Sequence, residues 1–358
     1  MYIYIHIPFC SHICSYCDFP KMLYQEKFVQ KYLKELAKEI DKRYQDEEVF
    51  SIYLGGGTPT SLSLEELKYL LELTKKFKRR SQIEFTIESN IESLTKEKIK
   101  LLKEYGVNRI SLGVQSFQDK NLKILGRCHT RDMVENKIQE IKEEGFTNIS
   151  IDYIYGVSDD LKEIEEDMNI FLELDIPHFS AYSLIIEKNT IFGIQKREYI
   201  DEEKEYMMYK FIQQTLEKNH YQHYEISNYA KEGYQSLHNL NYWNNGSYYG
   251  FGLGAVSYIN HQRITNTLNF SKYLEGNYYQ EIINEDEKLR ISNEFILGLR
   301  KMEGIDVDIF YEKYQKNILE IPQVKELIEE KKLILKDHHL FISDKYFYLS
   351  NEILIHFI

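Results

Sequence analysis

The stretches MYIYIHIPFCSHICSYC (1–17) and VFSIYLGGGTPT (49–60) decide the fold of this chain. Each begins with a short run of β-branched and aromatic residues, which is typical of a buried strand. The first run leads into three cysteines and the second into three glycines. Between them, the apolar positions from Val29 to Ile40 recur at the 3.6-residue period of a helix. The opening of the chain is therefore a strand–helix–strand unit with a special loop after each strand.

The same alternation continues to about residue 185. A capping-box pair, Ser63 and Glu66, predicts the start of a helix, and further helices are predicted near 96–105, 131–144 and 161–173. The predicted strands are Ile3–Ile7, Val49–Leu54, Ile83–Glu88, Arg109–Gln115, Ile149–Tyr153 and His178–Leu184. Six β–α units predict an α/β fold with a parallel sheet and helical crossovers. Because a closed eight-fold barrel takes roughly 250 residues, we expect a partial (β/α)6 barrel.

The remainder of the chain has a different character. A helix is predicted over 202–218, followed by a loop-rich stretch dense in Tyr, Asn and Gly over about 221–266, and then by helical patterns and a winged-helix-like end. We therefore expect three parts: a barrel over 1–200, a connecting region with a helix and the segment HNLNYW over 201–285, and a C-terminal helical, winged-helix-like domain over 286–358. The part of the chain after the barrel is thus expected to be an α+β region that ends in a small winged-helix-like unit.

The bulk composition excludes several classes of protein. Hydrophobic residues make up 43% of the 358 residues, which is ample for a large core. A formal charge of -12 argues against broad capture of nucleic acid. No apolar run is long enough to cross a bilayer, and the N-terminus lacks the features of a signal peptide. We expect a cytoplasmic protein, with transient association with a membrane as an additional option.

Cys10, Cys14 and Cys17 lie within eight residues, directly after the first strand. Iron–sulfur clusters usually take four thiolates, so three would leave one iron open to a small molecule. Zinc is the alternative, because Cys14 and Cys17 form a Cys-x2-Cys pair, and His12 or Cys128 could complete a tetrahedral set with Cys10. Disulfides are not expected in a chain without export signals. The spacing of the cysteines alone is compatible with either an iron–sulfur cluster or a zinc site.

A series of short motifs follows the triple glycine. In chain order these are TIES (86–89), SLGVQSF (111–117), LGRCHT (125–130), IDYIYG (151–156), FSAYSLIIE (179–187), YEISNYA (224–230), HNLNYW (238–243) and GLGAVSY (252–258). Together with the cysteine and glycine motifs, the series resembles the radical S-adenosylmethionine superfamily and, within it, the oxygen-independent coproporphyrinogen oxidase-like group. The resemblance implies a 4Fe-4S cluster on Cys10, Cys14 and Cys17, with the open iron binding S-adenosylmethionine for reductive cleavage, and an electron donor as partner.

The resemblance also implies the residues that contact S-adenosylmethionine. They are Gly56, Gly57 and Thr58 at the methionine moiety, Tyr4 near the adenosine, and Glu88, Gln115, Arg127 and Asp152 at the remaining polar groups. Most of them lie at the C-terminal ends of predicted strands, where β/α barrels place their active sites. Taken singly, each also has an ordinary reading as a capping, turn or surface residue.

Two further features separate the branches of this group. Relatives that decarboxylate coproporphyrinogen carry another cysteine two residues after the third, where this chain has Phe19, which argues against that activity. The HNLNYW segment resembles the heme chaperone branch, which implies heme or another tetrapyrrole as cargo and membrane respiratory hemoproteins as recipients. His238 is then the candidate heme ligand, and its plainer reading is a hydrogen-bonded structural histidine. Oxidative decarboxylation of coproporphyrinogen III to protoporphyrinogen IX, or another radical reaction on a tetrapyrrole, remains the enzymatic alternative.

Overall fold

The computed structural model describes residues 1–358 and confirms all six predicted strands. The strands are β1 Tyr2–Ile7, β2 Phe9–Cys10, β3 Met22–Leu23, β4 Val49–Gly56, β5 Arg79–Asn90, β6 Arg109–Gln115, β7 Asn148–Tyr155, β8 His178–Ser183, β9 Gln222–Glu225, β10 Asn228–Ala230, β11 Tyr248–Phe251, β12 Val256–Ile259, β13 Gln262–Asn266, β14 Tyr279–Asn284, β15 Ile305–Asp306, β16 Leu333–Lys336 and β17 His339–Ile342. The helices are α1 Glu26–Arg43, α2 Leu64–Leu73, α3 Lys96–Glu104, α4 Asp119–Leu125, α5 Arg131–Glu143, α6 Leu161–Glu173, α7 Ile191–Ile194, α8 Glu202–Lys218, α9 Leu237–Trp243, α10 Phe270–Leu274, α11 Glu287–Gly298, α12 Val307–Tyr314, α13 Pro322–Glu329 and α14 Ser350–Leu354.

Six parallel strands form the centre of the main sheet, in the order β1-β4-β5-β6-β7-β8. Each is joined to the next by one or two helices, so the connections are those of a (β/α)6 partial barrel. The predicted capping box at the start of α2 is present. The Glu66 amide donates to the Ser63 hydroxyl at 3.2 Å, and the Ser63 amide donates to the Glu66 carboxylate at 2.9 Å.

Side chains along the central strands alternate between two environments. Ile3, Ile5 and Ile7 of β1 are fully buried in the main core, and the corresponding positions of the neighbouring strands are apolar as well. Burying each such side chain stabilises the fold by roughly 1.5–3 kcal/mol. The alternate positions are mostly polar and face the inside of the barrel. The fold thus builds an apolar layer outside the sheet and a polar chamber within it.

The stretch predicted to be loop-rich is instead built from short strands and one helix. On one side of the sheet β11 pairs in parallel with β1 and leads into β12, β13 and β14; on the other side β10 and β9 follow β8. The prediction was wrong because strands of three to six residues, rich in Tyr, Asn and Gly, carry no clear alternation. Gly250 shows one reason for the glycines, since a Cβ there would overlap the backbone of Val256.

A buried ion pair fastens these added strands to α1. The Arg43 guanidinium bonds to the Glu39 carboxylate at 2.5 Å and to the carbonyl oxygen of Gly250 at 3.1 Å. The same carboxylate accepts the Gly252 amide at 2.8 Å and the Tyr273 hydroxyl at 2.6 Å. Both charges are therefore bonded on several sides, which a buried pair requires if it is to stabilise a fold.

The C-terminal elements run in the order α11, β15, α12, α13, β16 and β17, with a three-stranded antiparallel sheet in the order β15-β17-β16. This is the arrangement of a winged-helix unit, as the sequence predicted. Its 14 buried apolar residues form a cluster separate from the main core, so the unit has a core of its own. The division of the chain at about residues 200 and 285 stays a prediction. No helix is both long and apolar enough to cross a bilayer.

Candidate functional site

A cavity of about 560 Å³ opens at the C-terminal ends of the central strands and extends into the barrel. Among its lining residues are ten of the predicted site residues: Cys10, Cys14, Cys17, Gly56, Gly57, Thr58, Glu88, Gln115, Arg127 and Asp152. They come from the cysteine loop, from β4 to β7 and from the segment after α4. The structure therefore brings together residues that are more than 140 positions apart in the chain.

The cysteine loop leaves the sheet directly after β1. Cys10 ends β2 and is buried, while Cys14 and Cys17 are half-buried. The loop is closed by a hydrogen bond of 2.5 Å from the Lys21 ammonium group to the carbonyl oxygen of Cys17. Burial raises the pKa of the Cys10 thiol to about 11. A bound metal would reverse that shift, because metal-ligating sulfur is deprotonated.

The three sulfurs face one cavity without converging on one point. No group of three or more Cys, His, Asp or Glu side chains is arranged around a single ion. Of the two candidates for a fourth zinc ligand, Cys128 is exposed and does not line the cavity, whereas His12, which is also exposed, does line it. A zinc ion needs its four ligands around one point, whereas a cluster is held by thiolates that bind different irons. The arrangement favours the cluster.

The triple glycine runs beside the cysteine loop. The amides of Gly57 and Thr58 donate to the carbonyl oxygens of Ile7 and Phe9, each at 2.8 Å. A Cβ on Gly57 would lie 2.9 Å from the Cys10 sulfur, and a Cβ on Gly56 would lie 2.6 Å from the His6 ring. The glycines thus let the loop, the sheet and the cavity wall approach one another more closely than any other residue allows.

Glu88 is fixed at the cavity wall by two donors. It accepts the Tyr53 hydroxyl at 2.8 Å and the Gly56 amide at 3.0 Å. Burial, followed by the nearby charge of Asp152, raises the pKa of Glu88 to about 7. Asp152 in turn accepts a hydrogen bond from Ser111. These carboxylates are suited to accept hydrogen bonds from an ammonium or hydroxyl group of a ligand.

Arg127 lies behind the cysteine loop. Its Nη1 lies 3.3 Å from the Cys14 sulfur, and its Nη2 donates to the side chain of Asn90 and to the carbonyl oxygen of Gly113, both at 2.7 Å. Both terminal nitrogens are thus occupied by the protein. The predicted pairing of Arg127 with a ligand carboxylate would require it to release one of these partners.

Two of the predicted residues, Tyr4 and His238, do not line the cavity. The Tyr4 hydroxyl bonds to the Nδ1 atom of His6 at 2.9 Å, and the Nε2 atom of His6 bonds to the carbonyl oxygen of Pro20 in the cysteine loop at 2.8 Å. Tyr4 is therefore linked to the cysteine loop indirectly, by hydrogen bonds through His6. Its predicted contact with adenosine stays a prediction.

His238 lies in helix α9 instead of a loop. Its ring nitrogens bond to Ser51 and Tyr242, each at 2.9 Å, and burial lowers its pKa to about 3. The amides of Leu237 and His238 donate to the carboxylate of Glu84 on β5, which holds the start of α9 against the barrel. In this conformation neither ring nitrogen is free to bind iron. The next residue, Asn239, does line the cavity.

Several cavity-lining residues were missed by the sequence analysis. Those on the strands include Tyr53, Asn90, Arg109, Ser111, Ser180 and Tyr182. The signal was present for all but Asn90, which lies beyond the predicted end of its strand at Glu88, because the others alternate with apolar residues in strands that were already predicted. In a barrel whose outer face is covered by helices, such polar positions must face inward.

Comparisons with known proteins agree with this geometry. The Radical SAM superfamily profile matches residues 4–170. A heme chaperone HemW from Bacillus subtilis (strain 168) is 40% identical, over 98% of this chain and 97% of the relative. A heme chaperone HemW from Lactococcus lactis subsp. lactis (strain IL1403) is 39% identical, over 98% of this chain and 95% of the relative. The chain belongs to the HemW family.

The fold of this HemW family member also resembles a solved structure. Coproporphyrinogen III oxidase (HemN) from Escherichia coli, a radical SAM enzyme, superposes with a TM-score of 0.87, over 99% of this chain and 89% of that one, at 20% sequence identity. At this identity the likeness concerns the fold alone. It confirms the radical SAM architecture with its C-terminal extension.

Membership of the superfamily implies a 4Fe-4S cluster and S-adenosylmethionine, and the cavity of this HemW family member fits both. Three sulfurs face it from one loop, and the glycine segment beside them leaves no side chain in the way. The carboxamide of Gln115 borders the same space. Gln115 is held there by backbone in the left-handed region, at a φ of 71°, which is uncommon for a residue with a side chain.

Proposed function

We propose that this protein is a heme chaperone, which binds heme and delivers it to respiratory hemoproteins, and which carries a 4Fe-4S cluster and S-adenosylmethionine on its barrel. The observation that supports this most is family membership along nearly the whole chain, including the HNLNYW segment on α9. A relative that shared only the barrel would leave α9 and the C-terminal unit unexplained.

The cluster in this proposal is held by Cys10, Cys14 and Cys17. Gly56, Gly57, Thr58, Glu88, Gln115 and Asp152 then surround the adenosylmethionine. S-adenosylmethionine bound to the iron that has no cysteine ligand would supply radical chemistry, which belongs to the cofactors and not to the protein side chains. The chain's own residues position it, and the polar chamber below accepts its hydrogen bonds.

His238 is the proposed heme ligand, on the condition that α9 moves. Its two ring hydrogen bonds would have to be released, and helix α9 would have to rotate or withdraw from the barrel. A neutral imidazole is the form that binds heme iron, and burial keeps His238 neutral throughout the physiological pH range. We therefore expect heme binding to be slow and coupled to a change in α9.

The decarboxylase alternative is disfavoured by Phe19. This side chain is 66% exposed and lines the mouth of the cavity, at the place where the decarboxylating relatives have an extra cysteine. Phenylalanine offers neither a thiol for a proton or electron step nor a metal ligand. It provides instead an apolar surface at the mouth.

The test is a heme titration and transfer assay on protein whose cluster has been reconstituted without oxygen. We expect a stable complex with a Soret band, heme transfer to an apo-cytochrome, and loss of the complex in His238→Ala. His356→Ala, which removes an exposed histidine at the C-terminus, is the matched control and should bind as wild type does. Failure of wild type to hold heme would reject the proposal. Release of carbon dioxide from coproporphyrinogen III in the presence of reductant and S-adenosylmethionine would replace it with the decarboxylase.

A further inference from the structure

Helix α9, which carries His238, is held at its two ends by different parts of the chain. Its first two amides donate to Glu84 of the barrel. Its other end contacts the C-terminal winged-helix unit. There the ammonium group of Lys313 donates to the carbonyl oxygen of Asn244, the residue that caps the helix, at 3.2 Å. A positive charge at this end satisfies a carbonyl that has no partner within the helix and interacts favourably with the helix dipole.

Lys313 is fixed by a buried carboxylate of the same unit. Glu294 on α11 is 6% exposed, and its carboxylate lies 2.7 Å from the Lys313 ammonium nitrogen. The Tyr314 hydroxyl donates to the same carboxylate at 2.9 Å, and the side-chain amide of Asn245 donates to it at 3.4 Å. Because Asn245 directly follows the cap of α9, this single carboxylate joins two residues of the C-terminal unit to the end of α9.

A further contact reaches the same end of α9 from Arg300, which follows α11. The central carbon of its guanidinium lies 5.9 Å from the centre of the Trp243 ring, within the range of a cation–π interaction. The surroundings are not fully bonded, since the indole nitrogen of Trp243 and the side-chain oxygen of Asn245 are enclosed without hydrogen-bond partners. Enclosed polar atoms of this kind make the closed position of α9 less stable. The contact is therefore formed but is not a tight one.

The C-terminal unit does not depend on α9 for its attachment to the barrel. Backbone hydrogen bonds join it directly to β9 and to the turn that follows. The Ile226 amide donates to the carbonyl oxygen of Arg300 at 2.9 Å, and the Met302 amide donates to that of Tyr224 at 3.1 Å. Loss of the contacts made by Lys313 would thus free the end of α9 without detaching the unit.

We propose that Glu294 and Lys313 are positioning residues for heme binding, because they hold α9 where His238 is bonded to Ser51. The inference rests on the proposed function, in which His238 binds heme once α9 withdraws. Tyr242 lies on α9 and moves with His238, whereas Ser51 belongs to β4. Withdrawal must therefore break the contacts to the barrel at one end of α9 and those to the C-terminal unit at the other. The C-terminal unit thereby sets the fraction of molecules in which His238 is accessible.

The experiment compares wild type with Lys313→Met, Lys313→Arg and Lys316→Met after reconstitution of the cluster without oxygen. Lys313→Met removes the bonds of the ammonium group to Asn244 and Glu294, whereas Lys313→Arg keeps the positive charge. Lys316→Met is the matched control, because it removes an exposed ion pair with Glu287 within the same unit.

The first measurement contains no heme. Trp243 is the only tryptophan of the chain, so selectively excited tryptophan fluorescence reports on α9. We expect acrylamide to quench this fluorescence more strongly in Lys313→Met than in wild type, and the amides of α9 to exchange hydrogen faster. Lys313→Arg and Lys316→Met should behave as wild type does.

The second measurement is the rate of heme association, followed by stopped-flow absorbance in the Soret region. Loss of a hydrogen bond from a charged group shifts an opening equilibrium by about 10-fold, and association through the open form accelerates by the same factor. We therefore expect association about 10-fold faster in Lys313→Met, with Lys313→Arg and Lys316→Met close to wild type.

The proposal is overturned if wild type binds heme and Lys313→Met associates with it at the wild-type rate. Faster exchange in α9 together with such an unchanged rate would show that Lys313 only stabilises the helix. Equal acceleration in Lys316→Met would overturn the proposal as well, because any disturbance of the unit would then suffice. Failure of wild type to hold heme is a separate result, since it rejects the proposed function itself and this inference with it.

Discussion

The Nη1 atom of Arg127 lies 3.3 Å from the sulfur of Cys14, on the protein side of the cysteine loop. Asn90 and the Gly113 carbonyl hold the other end of the guanidinium, and the Glu92 carboxylate lies 3.9 Å from it. A fixed positive charge therefore borders one of the three sulfurs that we assign to the cluster. Such a charge favours the more negative, reduced form of a bound cluster.

Replacing Arg127 should make the cluster harder to reduce. For one charge removed at a few ångströms in a partly buried site, we expect Arg127→Gln to lower the midpoint potential by roughly 100 mV. A redox titration followed by electron paramagnetic resonance measures this directly on reconstituted protein. Arg131→Gln, which changes an exposed arginine of α5, should leave the potential unchanged. An unchanged midpoint potential in Arg127→Gln would mean that the Arg127 charge does not affect the reduction of the cluster.

Removing one hydrogen bond to the ring of His238 should increase the rate of heme association. Ser51 bonds to one ring nitrogen of His238 and Tyr242 to the other. In Ser51→Ala or Tyr242→Phe one of these bonds is missing, so we expect faster heme association together with a loss of about 1 kcal/mol in the free energy of unfolding. Stopped-flow absorbance in the Soret region measures the rate. Slower association in both variants would show that heme does not need a released His238.

The buried ion pair of Glu39 and Arg43 should be the main interaction that holds β11–β14 to α1. Glu39→Ala leaves the Arg43 guanidinium buried without its counter-charge, and we expect a loss of about 3–5 kcal/mol in the free energy of unfolding. Chemical denaturation measures the loss. The control is Glu72→Ala, which removes an exposed carboxylate paired with Lys75 and should hardly move the denaturation midpoint. Similar midpoints for the two variants would contradict this account of how β11–β14 are attached.

His223 should make stability depend on pH. Burial lowers its pKa to about 4, from 6.5 in an exposed histidine. The unfolded chain therefore binds a proton between these values while the folded chain does not, so acidification favours unfolding in that window. His223→Phe removes the pH-dependent contribution of this side chain to stability and keeps an aromatic ring against Tyr229. Relative to this variant, wild type should lose stability progressively from pH 6.5 to pH 4, by at most about 1.4 kcal/mol per pH unit. A constant difference across the window would mean that His223 is not buried neutral.

Much of the barrel and its metal loop could be predicted from the sequence, because both depend on local patterns. Strands β1 and β4 to β8 follow from alternation and from β-branched residues, and the helix start at Ser63 follows from a capping box. The cysteine and glycine motifs come directly after strands, so the rule on strand ends placed them at one mouth.

What could not be predicted depends on long-range contacts. Helix α9 ends up against β4 and β5 because Glu84 accepts its first amides across about 150 residues of chain. Held in that position, His238 has its ring nitrogens bonded to Ser51 and Tyr242, which agrees with the plainer reading of a hydrogen-bonded structural histidine, although the sequence placed it in a loop. In the same way, the partners of Arg127 are set by the packing of the cysteine loop against β6, and no local pattern reveals them.

The most direct test of the account is the response of the reduced cluster to S-adenosylmethionine. Reconstituted wild type should contain about four irons per chain, with little left in serine variants of Cys10, Cys14 or Cys17 and wild-type content in Cys128→Ser. Adding S-adenosylmethionine to the reduced protein should change its electron paramagnetic resonance spectrum, because one iron has no cysteine. A full cluster whose spectrum ignores S-adenosylmethionine, or a protein that takes up no iron, would contradict the central claim.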